Sequence, residues 1–345
     1  MLKEYEYGIN NGMGLYFIDA NLLVALGNYY YKAKCKPFEI TSEVVEFLLR
    51  ARKYGIQNQF SLIELCYDYN TNTLNSSLMQ KIMIAYDYLI MQMGESEIRS
   101  HKGALEPDIV NNEKRTRSFS SIFECKLPDF LFENDYMGLK NAFYGIYLYM
   151  LKVYLLYSDK RIEPIEKIKS LFSYMVNDID VILANEFFTA SMLFIGENAE
   201  KDIVMKILKP RENPELQHIL NATIDVFQVK IAELFAQMFE LNKKPCFVRF
   251  ATLDKPLQDY IEHVAQYNTT ISPNMISSLN SYNVKISGRY REEWTKFYNE
   301  TVEPTMRKRF FEAHLKHQSF DFCDTEKIYR EIINLENRVL KVVKN

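Results

Sequence analysis

Two short apolar runs stand apart from a chain whose other hydrophobic positions recur every three to four residues. The first, Gly14-Leu15-Tyr16-Phe17-Ile18, runs straight into Asp19-Ala20-Asn21. The second, Cys246-Phe247-Val248-Arg249-Phe250-Ala251-Thr252, is followed by Leu253-Asp254-Lys255-Pro256. Short continuous apolar runs bounded by turn-forming residues read as buried strands of a parallel sheet. Residues 1–14 read as an irregular lead-in or a short edge strand. Helical periodicity covers Asn21 to Tyr31, then a helix opened by Thr41-Ser42-Glu43 with Thr or Ser as cap and ended by Gly55. Ile56 to Leu65 also reads as helix, with Ser61 near its start, and 74–93 follows as a third helical segment.

The pattern turns polar from Gly94 to about Asp135, a long loop or insertion. Helical spacing returns over Tyr136–Tyr157, Pro164–Val176, Asp178–Phe194, Ala199–Leu208 and Pro214–Leu241. After the second strand the chain reads as helices again: Ser287–Asn299, Pro304–His317 and Asp324–Val343.

Composition sharpens this picture in three ways. With 345 residues, 48% hydrophobic and 25% charged, the chain can bury a large core. Only 11 Gly and 10 Pro against 24 Tyr and 23 Phe favour helices over many short strands. A formal net charge of −3 gives no general electrostatic case for nucleic-acid binding, so any basic surface is local, as at Lys209, Arg211 or Arg307-Lys308-Arg309. The five scattered cysteines form no CxxC pair, which argues against disulfides and zinc and suits a reducing cytoplasm. Met1-Leu2-Lys3-Glu4 does not read as a signal peptide. The longest apolar segment, Ala142–Tyr157, is broken by Lys152 and too short for a confident membrane span.

The chemistry lies in carboxylates. Both strands end close to an acid, Asp19 and Asp254, where open α/β sheets place their ligands. Asp19 reads equally as the cap of the helix that follows. Two helices between the strands carry an acid among apolar neighbours: Glu64 in Phe60-Ser61-Leu62-Ile63-Glu64-Leu65, and Asp225 in Asn221-Ala222-Thr223-Ile224-Asp225-Val226-Phe227. Acids embedded in this way need a cation or donor inside the fold, and a divalent metal is the economical partner. Oxygen-only ligands without His or Cys point to Mg²⁺ or Mn²⁺.

The order strand-Asp19-x-Asn21, helical Glu64, helical Asp225, then strand-Thr252-x-Asp254 resembles the PIN and PIN-like (VapC-type) nuclease domains, over about residues 14–70 and 215–265. The resemblance implies a three-layer α/β/α core around a small parallel sheet, with a large helical insertion and a helical C-terminal extension, predominantly helical overall. The corresponding divisions are 1–93 and 214–265 for the two parts of the core, 94–213 for the insertion with its polar loop at 94–135, and 266–345 for the extension. It further implies a cytoplasmic, Mg²⁺- or Mn²⁺-dependent endonuclease acting on RNA, or less often DNA. Asp19, Glu64, Asp225 and Asp254 are then the catalytic metal ligands, with Asn21 and Thr252 orienting metal-bound groups. Asp178, Asp180 and Glu186 are lower-ranked alternates. Asp178 and Asp180 read better as a helix start, and Glu186 reads better as helix surface. The extra helices suit substrate entry, self-association or a regulatory partner such as an antitoxin, and by analogy a toxin-like or anti-phage role.

Two rivals remain. One is a non-catalytic helical interaction protein in which a PIN-like scaffold keeps the acids only as caps and surface charges. The other is Arg309-Phe310-Phe311-Glu312-Ala313-His314, which resembles the Arg-x₄₋₆-His signature of HEPN ribonucleases, although a solvated amphipathic helix explains Arg309 and His314 more simply. Tyrosine-rich stretches such as Tyr29-Tyr30-Tyr31 read as core packing before base stacking.

Overall fold

The computed structural model describes residues 1–8, 12–69, 73–106, 115–116, 139–241, 244, 246–263, 286, 288–316 and 325–344. In chain order the elements are β1 (Lys3–Tyr7), β2 (Gly14–Ile18), α1 (Ala20–Lys32), α2 (Phe38–Ala51), β3 (Gly55–Gln57), α3 (Gln59–Cys66), β4 (Tyr67–Asp68), β5 (Thr73–Leu74), α4 (Ser76–Asp87), α5 (Glu95–Arg99) and β6 (Arg115–Thr116). Then follow α6 (Leu139–Ser158), α7 (Pro164–Ser173), α8 (Ala184–Ile195), α9 (Asn198–Leu208), α10 (Leu216–Leu241), β7 (Phe247–Thr252) and α11 (Lys255–His263). The series closes with α12 (Arg291–Phe297), α13 (Glu303–Lys316) and α14 (Thr325–Lys344). The chain folds into two compact units, Met1–Ser118 with Ile224–Gln258, and Phe119–Thr223 with Asp259–Asn345. It is a predominantly helical α/β protein with a small sheet.

The first unit is built on a four-stranded sheet in the order β1-β7-β2-β3. β2 runs parallel to both β7 and β3, pairing Ile18 with Ala251 and Phe17 with Gln57. β1 runs antiparallel to β7, so the sheet is mixed rather than parallel. The cause is chain length. A parallel return needs a crossover of a dozen or more residues, so the six residues between Tyr7 and Gly14 reverse β1 relative to β2, and β7, which lies between them parallel to β2, is antiparallel to β1. Gly14 is held tight there, because a Cβ at this position would lie 2.1 Å from the Phe247 ring.

The two inner strands are buried on both faces, as their unbroken apolar runs require. Alternate side chains face opposite ways. Tyr16 and Ile18 join Leu22, Leu26, Phe47 and Leu48 in the core under α1 and α2, with the Tyr16 and Phe47 rings 5.6 Å apart. Phe17 points the other way and meets Phe235 of α10 edge-on at 5.2 Å. Phe60 of α3 meets Phe227 of α10 at 5.0 Å. Helices therefore lie on both faces of this sheet.

Several local expectations change. Gly55 opens β3 instead of closing α2, whose last turn is capped at Arg52. Ile56 is strand, and the helix begins only at Gln59. Thr41 is no cap: α2 starts three residues earlier, after Pro37, and the Thr41 hydroxyl instead clamps the Cys35 backbone, accepting its N–H at 2.7 Å and donating to its carbonyl at 2.5 Å. Within the polar stretch at 94–135, α5 and β6 form, and most of the rest lies outside the described residues.

The second unit is helical. The hydrophobic face of α14 packs on α6, placing Tyr329 against Tyr144 at 4.9 Å. Trp294 packs against Phe187 and Tyr298, at 5.9 Å in each case. No helix among the described residues is long and apolar enough to cross a membrane.

Candidate functional site

Because β2 and β7 are parallel neighbours, the residues that follow them emerge side by side at one edge of the sheet. Asp19 continues the ladder by donating its N–H to the Ala251 carbonyl at 3.1 Å, then turns into α1 as its cap. Its carbonyl accepts the Leu23 N–H at 3.1 Å, and its Oδ1 accepts the Leu22 N–H at 2.8 Å. Asp254 plays the same part for α11, with Oδ1 accepting from Leu257 N at 3.4 Å and its carbonyl accepting from Gln258 N at 3.0 Å. Two strand-to-helix corners thus stand together, each turned by a carboxylate.

Thr252 ties the corners to each other. Its hydroxyl donates to Asp19 Oδ2 at 2.5 Å and accepts the Asp254 N–H at 2.9 Å. Asn21, exposed in the first turn of α1, donates from Nδ2 to Asp254 Oδ2 at 3.2 Å. Asp19, Asn21, Thr252 and Asp254 therefore form one hydrogen-bonded set, graded from the buried Asp19 (3% exposed) and Thr252 (0%) outward through half-buried Asp254 to Asn21.

Burial dominates the electrostatics. It pushes the Asp19 carboxyl up to about 6, against the hydrogen bonds from Thr252 and Leu22, which favour the charged form, and with the neighbouring Asp254 charge pushing it further up. An ionised carboxylate there is costly in the way a cation relieves.

Glu64 lies one helical turn beyond Ser61 on α3. Ser61 is fully buried, and its hydroxyl donates to the Ile18 carbonyl, the last of β2 before Asp19. In the sequence Ser61 reads only as a residue near a helix start. The feature that marks it is a hydroxyl in an apolar helical run three residues before an acid. Glu64 is half-buried, as is Asp225, which α10 carries two residues before Phe227. Both are engaged in other interactions.

The one trio among the described residues whose ligand atoms all lie within 4.8 Å of one another is Asp259, Glu262 and His263, on successive turns of α11. That spacing is what one helix face gives to positions i, i+3 and i+4. None of the three was expected as a ligand, and no three of Asp19, Glu64, Asp225 and Asp254 come together as tightly. Mg²⁺ commonly binds through one or two carboxylates plus waters and substrate phosphates. Asp19 and Asp254 are donors of the type that mode uses. Both are oxygen donors, and each carboxylate has about four lone-pair sites, of which Asp19 commits one per oxygen to Leu22 and Thr252.

The alternates Asp178, Asp180 and Glu186 belong to the second unit. Asp178 and Asp180 do not start a helix. A π-helical turn, Tyr174–Asp178, ends at Asp178, and α8 begins only at Ala184. Asp180 adopts a left-handed φ of 59°, a conformation Asp tolerates better than most residues. It is fixed by Arg309, whose guanidinium lies 2.6 Å from Asp180 Oδ1 and 2.8 Å from the Val176 carbonyl. That ion pair accounts for Arg309, and the side chain of His314 lies outside the described residues. Glu186 is fully buried rather than on a helix surface (1% exposed). Its charge adds to burial in raising the Tyr149 and Tyr260 hydroxyls.

No family model, no curated protein and no solved structure matches the chain.

Proposed function

We propose that this chain is a cytoplasmic, Mg²⁺- or Mn²⁺-dependent endoribonuclease built on a PIN-like arrangement of the first unit. One observation carries this: two acids from separate parts of the sequence meet at the carboxyl edge of adjacent parallel strands, coupled through Thr252. Ligands of open α/β sheets bind at that edge.

Asp19 and Asp254 would hold the metal. A Mg²⁺ or Mn²⁺ held there would lower the pKa of a coordinated water, so that it loses its proton and becomes nucleophilic near neutral pH, and would offset charge on the phosphate. Thr252 keeps Asp19 Oδ2 oriented, and Asn21 does the same for Asp254 Oδ2. Glu64 and Asp225, on the flanking helices α3 and α10, serve as further ligands or hold the attacking water. RNA is the substrate, with DNA as the alternate. The helical second unit suits self-association or a regulatory protein partner, as an antitoxin-controlled or anti-phage enzyme requires.

A specific observation favours a second reading, a non-catalytic scaffold. Asp19 and Asp254 are both working helix caps, and Asp19 is almost inaccessible. Cleavage of labelled single-stranded and structured RNA, and of DNA, with Mg²⁺ or Mn²⁺ separates the two. The nuclease cleaves with metal and stops in EDTA; the scaffold does neither and gains no thermal stability from metal.

A further inference from the structure

The Ile18 carbonyl lies one residue past the last β2–β3 pair, Phe17 with Gln57. The Asp19 N–H points to Ala251 on the β7 side. Successive backbone groups of a strand point to opposite edges, so the Ile18 carbonyl points to the β3 side. β3 ends at Gln57, paired with Phe17, and the chain then turns into α3. A buried carbonyl left in that position requires another donor. Ser61 supplies it from the first turn of α3, with Ser61 0%, Ile18 1% and Asp19 3% exposed.

From this contact we infer that Ser61 is a positioning residue of the proposed metal site, setting where Glu64 stands relative to Asp19. The inference rests on the nuclease reading. Residues three apart on a helix share a face, with Cβ atoms roughly 5–6 Å apart. The Ser61 hydroxyl therefore pins the turn of α3 that carries Glu64 to the peptide immediately before Asp19. The apolar contact of Phe60 with Phe227 holds α3 against α10, but a ring contact does not fix the helix's rotation and register as a directed hydrogen bond does.

The test compares Ser61→Ala with Ser61→Thr, which keeps the hydroxyl, and with Thr41→Ala. Thr41→Ala removes a backbone-clamping hydroxyl from the same unit, away from the carboxylates. Two quantities are read on the full chain: the Mn²⁺ concentration giving half of the metal-induced rise in Tm, and the Mn²⁺ concentration giving half-maximal RNA cleavage. Ser61→Ala should raise both by about tenfold or more, the range seen when residues orienting metal ligands are removed. Ser61→Thr should stay near wild type. Thr41→Ala should lower Tm without moving either Mn²⁺ midpoint.

If the alanine variant does not fold, Ser61→Cys, which keeps the volume and weakens the donor, should give a smaller shift in the same direction. Unmoved midpoints in Ser61→Ala, or in Ser61→Cys where that variant stands in, overturn the inference while the nuclease stands. An equal shift in Thr41→Ala overturns it too. A wild type that neither cleaves RNA nor gains stability from Mn²⁺ removes the nuclease reading and this inference with it.

Discussion

Thr252 donates its hydroxyl to Asp19 Oδ2 at 2.5 Å, and the Thr252 hydroxyl oxygen accepts the Asp254 N–H at 2.9 Å. One buried hydroxyl thus serves a carboxylate from one end of the sequence and a helix corner from the other. Thr252→Val should cost roughly 1–3 kcal/mol of stability in urea denaturation, the penalty for stranding a buried hydrogen-bonding group. It should also push the Asp19 carboxyl further up, because a bond favouring the charged form is lost. Thr252→Ser should retain most of both. A valine variant as stable as wild type would show that the bridge contributes nothing.

The Asp19 carboxyl, raised to about 6 from 3.8, makes a signed prediction. The native state holds this proton more tightly than the unfolded chain does. The contribution is therefore fully favourable below about pH 4 and is lost as pH rises through 6, on the order of 3 kcal/mol in all. In metal-free buffer, Asp19→Asn should remove that part of the pH dependence and be more stable than wild type at pH 7.5. Added Mn²⁺ should stabilise wild type and leave the variant unmoved. Denaturation midpoints between pH 4 and 8, with and without Mn²⁺, check both. Parallel pH profiles for the two proteins would count against a buried carboxylate with raised proton affinity.

Phe227 and Asp225 separate packing from chemistry on α10. Phe227 is fully buried against Phe60, so Phe227→Ala should cost about 3–5 kcal/mol. Asp225→Asn should keep the fold and abolish or sharply slow RNA cleavage. Full activity in the folded Asp225→Asn variant would remove Asp225 from the site.

Arg309 tests the HEPN alternative. Its guanidinium is committed to Asp180 and the Val176 carbonyl. Arg309→Ala should therefore lower thermal stability and leave the cleavage rate of the folded protein unchanged. Loss of cleavage at unchanged stability would move the chemistry to the second unit.

The two apolar runs were legible because both faces of β2 and β7 are buried, so no alternation masks them. The acids after them were legible for the same reason: a charge following an unbroken apolar run is conspicuous. β3 was not legible. Three residues are too few to show a period, and Ile56 falls in helical phase with Phe60 and Ile63. The short link from Tyr7 to Gly14 implies that β1 reverses relative to β2, but that its pairing partner is β7 is decided only in three dimensions. Thr41 looked like a cap because Thr-Ser-Glu imitates a helix start, but the helix had already begun at Phe38. The role of Ser61 was not legible, because a serine in an apolar helix reveals its partner only when the strand end it meets is known. The alternatives for Asp19, cap or chemistry, were both legible, and the capping is real: the same carboxylate turns the chain into α1 and faces Asp254.

The most direct measurement is cleavage of a labelled RNA by wild type, Asp19→Asn and Asp254→Asn across a Mn²⁺ titration, with the folding of each confirmed. Both asparagines can still cap their helices, so the variants should fold. Wild type should cleave in a Mn²⁺-dependent, EDTA-sensitive manner, and both folded variants should lose cleavage. A wild type that is silent on RNA and DNA with its Tm unmoved by Mn²⁺, or variants that cleave like wild type, would contradict the assignment of a metal-dependent nuclease to this pair of carboxylates.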